Sequence, residues 1–271
     1  MKNTNLSPFF DKISKKYAKK PEGIEDLIRE KSFEEISRII RDYQKKGKII
    51  HILEAGCGNG ALTLQLLRFP NARITSVDFS QGMLNELRKS IRHEKLSFKH
   101  ITLVKDDIRT ARLKKEGFDI VILVNVLINF KNLEDVKKAI TNLSKAVKPK
   151  GLFILSIINK KSFTGFSLLI SQCLERKINL LYVPFKAHTV RSMNRLLVSE
   201  GFIIKKMVAI KSRKNPFNLN LNAINVKNKI LKMSTNRNLF WGTVLYVVRY
   251  MLINIDILLK IDSAYLIIAE K

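Results

Sequence analysis

Cysteine is scarce in this sequence: only Cys57 and Cys173 among 271 residues. Neither has a partner at metal-ligand or redox spacing, and the 4 histidines are scattered. No zinc or iron–sulfur site can be built from that set, so no metal ligands are assigned, and a reducing compartment is implied. A signal peptide is missing as well. Residues 1–20 are polar and lysine-rich, without the apolar core that secretion needs, and the chain reads as cytoplasmic. Long apolar runs are few. The one that tests a spanning reading, residues 240–259, is interrupted by Arg249 and Asp256. Central charges are costly in a span, so peripheral membrane contact is the most this stretch suggests.

Acidic residues are absent from residues 201–255, which hold 10 Lys/Arg, and residues 136–200 hold 12 Lys/Arg against 2 Glu. These two stretches supply +20 of the formal net charge of +27. Such a field attracts polyanions, RNA among them, or an anionic membrane. A general richness in Lys, Asn and Ile explains the same charge without any partner, so charge alone names no function. Nothing in the residues speaks to oligomeric state.

What is present is a regular alternation. With 46% apolar residues the chain can bury a real core. Short apolar runs at 49–54, 73–78, 98–104, 118–124, 152–158, 202–210 and 264–269 predict strands. Amphipathic stretches at 60–69, 81–95, 133–147 and 190–199 predict helices. Residues 118–124 are almost continuously apolar, as a central parallel strand should be. Residues 1–48 read as helical, with Ser32 as a helix cap and Glu35 three residues on. Pro149-Lys150-Gly151 predicts a turn. Two further helical stretches, near 162–187 and 214–260, read as insertions into the back half of a domain that spans 49–271. The pattern argues for an α/β parallel sheet with helices on both faces.

The sharpest motif is Glu54-Ala55-Gly56-Cys57-Gly58-Asn59-Gly60, where a buried strand runs into three alternate glycines. The spacing is not Gly-x-Gly-x-x-Gly, and no Gly-Lys-Ser/Thr follows, so dinucleotide and nucleoside triphosphate loops are excluded. Glu54 would repel a pyrophosphate and attract an ammonium group, which selects a ligand with an amino-acid end. Asp78 closes the second predicted strand, 18 residues after Gly60, where an acid accepts both ribose hydroxyls. Asp106 and Asp107 follow the third, placed to accept from an adenine amino group with Ile108 packing nearby. A lone acid after a strand is more often a turn or cap. Acids after three successive strands at one sheet edge point to a ligand.

On these motifs, residues 49–158 resemble the class I S-adenosylmethionine-dependent methyltransferases that act on small molecules, the ubiquinone- and menaquinone-like group included. The resemblance implies a Rossmann-like seven-stranded sheet of order 3-2-1-4-5-7-6, with strand seven antiparallel. It implies S-adenosylmethionine as cofactor. Glu54 would orient the methionine part, with Gly56, Cys57, Gly58 and Gly60 around it. Asp78 would hold the ribose, Phe79 and Met83 would flank the adenine, and Asp106, Asp107 and Ile108 would hold its amino end. Asn125 lies at the substrate-facing end of strand four.

Methyl transfer from a sulfonium needs little acid–base machinery, because alignment supplies most of the rate. Asn/Asp-Pro-Pro-Tyr, the usual signature of base amino-group methylation, is missing after strand four, where Val124-Asn125-Val126-Leu127 stands. Pyrimidine carbon-5 methylation needs a Cys nucleophile, and neither Cys is placed for it. Residues 128 and 129 are Ile and Asn, so no His stands there. The catalytic candidates are therefore His188, in a loop before a helix, Tyr17, in the amino-terminal segment (1–48) that resembles the family's helical lid, and Asn125. The expected function is methylation of a small acceptor, hydrophobic or lipid-like. The alternatives are an RNA-binding methyltransferase acting on tRNA or rRNA, and a cofactor-binding protein without transfer chemistry.

Overall fold

The computed structural model describes residues 7–17, 24–45, 47–130, 132–162, 188–210, 262 and 264–271. Two helices, α1 (Ser7–Tyr17) and α2 (Ile24–Gln44), precede the sheet. The sheet is built from β1 (Ile50–Ala55), β2 (Ala72–Asp78), β3 (Ile101–Lys105), β4 (Phe118–Leu123), β5 (Val147–Ile158), β6 (Ile203–Ile210) and β7 (Ala264–Glu270). Between them lie α3 (Thr63–Leu66), α4 (Gln81–His93), α5 (Leu133–Ala146) and α6 (Val190–Ser199). The strand order is β3-β2-β1-β4-β5-β7-β6. β1 to β5 run parallel, and β7 pairs antiparallel with both β5 and β6. This is the Rossmann-like order expected from the motifs.

Central strands are buried on both faces, and two apolar layers result. One packs α5 and α6 against Leu53, Val121, Leu123, Phe153 and Leu155. The other packs Ile28, Ile36 and Ile40 of α2 against Ile52, Ile120, Ile122, Ile154 and Ile268. α5 shows how the pattern makes the element. Asn132 caps it, its side chain accepting from the Asp135 amide at 2.7 Å. Val136, Ala139, Ile140 and Leu143 then fall on one stripe with no exposure. Burying each of the larger three is worth roughly 1.5–3 kcal/mol.

Four expectations are corrected. Ser32 does not cap a helix: α2 begins eight residues earlier, and the Ser32 hydroxyl, fully buried, donates to the Ile28 carbonyl at 2.6 Å. A serine inside a helix satisfies its hydroxyl on the preceding turn, which hides it from a cap search. The helix expected over 60–69 is regular only over Thr63–Leu66. Gly60 at φ 85° cannot be helical, and Pro70 blocks extension beyond it. The turn expected at 149–151 lies within β5, as an irregularity. Val147 pairs with Phe118 and Leu152 with Ile120, so β5 carries extra residues where Lys150 adopts φ 63°. The 98–104 strand is also shortened, because residues 98–100 form a 3-10 turn. The helical stretches expected at 162–187 and 214–260 lie outside the described residues apart from Ser162, and so does the 240–259 segment. No helix among the described residues is long and apolar enough to cross a membrane.

Candidate active site

β1, β2, β3 and β4 all point their carboxyl ends at one cavity of about 540 Å³, within the usual range for a small-molecule site. The loop after β1 forms its floor. The Gly56 and Cys57 amides both donate to the Val77 carbonyl, at 2.7 and 3.1 Å, which pins the loop to β2. Gly56, Gly58 and Gly60 take φ values of 73°, 55° and 85°. Two of them have distinct reasons to lack a side chain. At Gly60 a Cβ would stand 2.1 Å from Leu87 Cδ1, so α4 packs against bare backbone. At Gly58 a Cβ would meet nothing within 4 Å, so the loop presents backbone to open cavity. Cys57 lines the cavity too, but its side chain is 7% exposed and packs with Leu84, Leu87 and Ile91. Burial pushes its thiol pKa up, so it serves as core beneath the loop.

Three carboxylates stand at the carboxyl ends of three adjacent strands, Glu54 within β1, Asp78 closing β2 and Asp106 just past β3. Glu54 is buried, accepting hydrogen bonds from the Thr63 and Ser76 hydroxyls. Burial raises its pKa to about 7, against those hydrogen bonds and with help from the Asp78 charge. Asp78, also buried, accepts from the Gly58 amide at 2.8 Å and the Ser80 amide at 2.9 Å. Burial raises its pKa as well, opposed by those two amides. Asp106 accepts the Asp107 amide at 2.8 Å, and its own amide donates to the Asp78 carbonyl. All three line the cavity, with Ile108, Phe79 and Met83.

Asp107 plays a different part from its neighbour. Both of its oxygens accept from the Arg109 side chain, and Arg109 also reaches Asp135 at 3.2 Å. Burial pushes the Asp107 carboxyl up, but the guanidinium outweighs it and holds the group below the usual range. The triad closes one wall and ties the β3 loop to the start of α5.

α1 forms the roof. Asp11 accepts from the Ser80 hydroxyl at 2.6 Å and the Gly82 amide at 2.7 Å, and Ser7 donates to the Phe79 carbonyl at 3.1 Å. Phe10 lies edge-on to Phe79 with ring centres 5.5 Å apart, and it packs on Met83. Ser7, Phe10 and, from α2, Arg29 thereby reach the cavity.

The catalytic candidates are spread. Asn125 lines the cavity at φ 59°, a left-handed conformation that Asn tolerates better than most residues. Its amide donates to the Ser156 hydroxyl at 2.9 Å, which fixes the end of β4 against β5. His188 is not among the cavity-lining residues. It is 7% exposed, bridges to Asn159 beyond β5, and places Nε2 3.4 Å from the Leu127 carbonyl. Tyr17 ends α1, and its side chain lies outside the described residues. The sequence reading missed Arg29, Lys105, Arg109, Phe130 and Asp135, all of which line the cavity. Only the Asp107-x-Arg109 spacing hinted at the ion triad.

The cavity fits the expected cofactor. A carboxyl poised near neutrality suits an ammonium group, which would draw it to the ionised form. Asp78 and Asp106 keep acceptor capacity beyond their amide bonds. The open space over Gly58 lets a ligand approach backbone closely.

Comparison with known proteins agrees with this geometry. A family described as a methyltransferase domain matches residues 52–151. The malonyl-[acyl-carrier protein] O-methyltransferase of Bacillus cereus is 29% identical over 137 residues, covering 50% of this chain and 48% of that protein. The ubiquinone biosynthesis O-methyltransferase of Rickettsia akari is 24% identical over 154 residues, 56% of each chain. The chain thus spans about half the length of the curated relatives it matches. Among solved structures, magnesium protoporphyrin IX methyltransferase from Synechocystis, with bound SAH, superposes with a TM-score of 0.58 at 17% identity, covering 98% of this chain and 94% of that one. At that identity the likeness shows the fold. Residues 52–151 thus match a methyltransferase domain, and the strand order and motif-bearing loop are similar to those of the class I S-adenosylmethionine-dependent methyltransferases.

Proposed function

We propose that this protein transfers the methyl group of S-adenosylmethionine to an oxygen of a small acceptor, acyl- or quinone-like. The observation that carries this reading is the row of Glu54, Asp78 and Asp106 at the ends of three adjacent strands, facing one cavity. When bound, the cofactor supplies an electrophilic methyl group on a good leaving group. Glu54 orients the ammonium end, Asp78 accepts the ribose hydroxyls, and Asp106 accepts the adenine amino group. Phe79, Met83 and Ile108 supply the apolar surface against the base.

The acceptor occupies the rest of the cavity, lined by Phe10, Val124, Asn125, Val126 and Phe130. These side chains exclude water and hold the accepting atom in line, which is the main catalytic requirement of the reaction. Asn125, held by Ser156, stands where it can contact the acceptor. The names of the relatives support an oxygen acceptor: several are malonyl-[acyl-carrier protein] O-methyltransferases and one acts in ubiquinone biosynthesis.

Calorimetry with S-adenosylmethionine, followed by transfer of a labelled methyl group to a panel of acyl carboxylates and quinols, tests the reading. Saturable binding and a labelled acyl or quinol product are expected. Binding without transfer to any acceptor, cell extract included, would make this a cofactor-binding protein without chemistry. No binding would sink the proposal.

A further inference from the structure

We propose that a second cleft, beside the acceptor end of the cavity, binds a phosphate group carried by the methyl acceptor. The cleft lies between the carboxyl end of β5 and α6, and its lining includes Lys161, Arg191, Arg195, Asn159 and Thr189. Lys161 comes from the turn after β5. Arg191 and Arg195 are four residues apart on α6 and share one face of it. All three cations are exposed. None of them joins an ion pair among the described residues, and no Asp or Glu lines the cleft. Asp262 lies behind the cleft, its carboxylate accepting the Tyr265 hydroxyl at 3.0 Å and its backbone carbonyl accepting from the Asn159 side chain at 2.9 Å. The cleft runs along α6, from Thr189 and Val190 at its amino end to Val198 and Ser199 at its carboxyl end. Three like charges gathered around one hollow repel each other until an anion sits among them. Two arginine forks match phosphate oxygens better than they match a simple ion.

Position gives the cleft its meaning. Asn125, at the acceptor end of the cavity, is bonded to Ser156 of β5. Asn159 of the cleft lies three residues further along the same chain direction, on the order of 10 Å at strand rise. From the other side, His188 contacts the Leu127 carbonyl and Thr189 follows it into the cleft. Both lie at the carboxyl-terminal edge of the sheet, the cavity past β1 to β4 and the cleft past β5. An acceptor that carries its phosphate ester roughly 10 Å from the accepting atom would reach both. This inference rests on the reading that the acceptor fills the neighbouring cavity. The phosphate belongs either to a soluble phosphorylated acceptor or to a phospholipid headgroup, and the chemistry at the cleft is the same for both.

The test titrates the full-length protein with inorganic pyrophosphate by calorimetry at low ionic strength, where screening is weak. Wild type is compared with an Arg191→Gln, Arg195→Gln double variant and with Lys161→Gln. Saturable binding to wild type is expected, weakened about tenfold or more in the double variant, with S-adenosylmethionine affinity equal in the three proteins. Sedimentation with phosphatidylglycerol vesicles then assigns the source. Arginine-dependent cosedimentation identifies a lipid headgroup. Retained pyrophosphate binding without cosedimentation identifies a soluble acceptor, and either supports the proposal. A wild-type protein that binds S-adenosylmethionine but not pyrophosphate overturns it. So does equal pyrophosphate binding by the double variant, or an arginine-dependent affinity confined to single-stranded RNA, which would make the cleft a nucleic-acid surface. Failure to bind S-adenosylmethionine is a separate outcome and strikes the methyltransferase reading instead.

Discussion

Glu54 shows what a single buried carboxyl does to a whole site. Its pKa stands at about 7 in the folded protein against an ordinary value of 4.5, so the native state holds a proton that the unfolded chain releases. Between those two values stability falls as pH rises, because the native state binds more protons there. The cost levels off above about pH 7, at on the order of 3 kcal/mol. Glu54→Gln should remove that part of the pH dependence, read as a smaller fall in Tm between pH 5 and 8 than in wild type. An unchanged profile would mean that the carboxyl titrates normally. The cofactor's ammonium should reverse the shift, so binding near neutral pH should release protons, measurable as a buffer-dependent binding enthalpy.

Asp78, raised in pKa by burial like Glu54, holds the loop to β2 while facing the cavity. Asp78→Asn keeps the shape but loses charge and offers one acceptor oxygen where two were used. S-adenosylmethionine affinity should fall roughly ten- to a hundredfold, since hydrogen bonds to charged groups are worth about 1.5–3 kcal/mol. An affinity within twofold of wild type would show that this acid does not meet the ligand. Both residues were legible in the sequence, because an acid directly after a strand announces its own position. Arg109 was not, since its second partner, Asp135, comes from another element and no local pattern joins them.

At the scale of elements, α1 and the first turn of α4 form the joint that roofs the cavity. Gly82 lies against the α1 backbone: a Cβ there would stand 2.9 Å from Asp11 Cα and 3.0 Å from its carbonyl oxygen. Gly82→Ala should therefore lift α1 while leaving the sheet intact. Crowding of this kind typically costs about 1–3 kcal/mol. Hydrogen exchange should accelerate in residues 7–17, and cofactor affinity should drop with it. Unchanged exchange in α1 would contradict the contact. The helical character of residues 1–48 was visible in the sequence, but the docking of α1 was not, because Asp11 finds Ser80 and Gly82 about 70 residues away. The early start of α2 escaped notice for a related reason. Ser32 resembles a cap by type, and only its bond to the preceding turn reveals it as interior.

For the whole molecule, the governing quantity is a net charge of +27. Self-repulsion of that size opposes compactness, and added salt screens it within a Debye length of about 8–10 Å near physiological ionic strength. Thermal stability should rise as sodium chloride is raised from low to physiological levels. A flat or falling Tm would mean that ion pairs such as the Arg109 triad outweigh the general repulsion.

The sequence by itself determined the sheet, its strand order through family motifs, and the acids and glycines at the strand ends beside the cavity. Each of those signals is local: apolar period, a glycine where backbone must turn left-handed, an acid at a strand end. Only the tertiary structure decided which distant side chains share the cavity. It brought Ser7, Phe10 and Arg29 to the roof, tied Arg109 to two acids, and set His188 beside Leu127, apart from the cavity lining. Those placements depend on how helices cross the strand ends, and packing between elements leaves no periodic trace in either segment it joins.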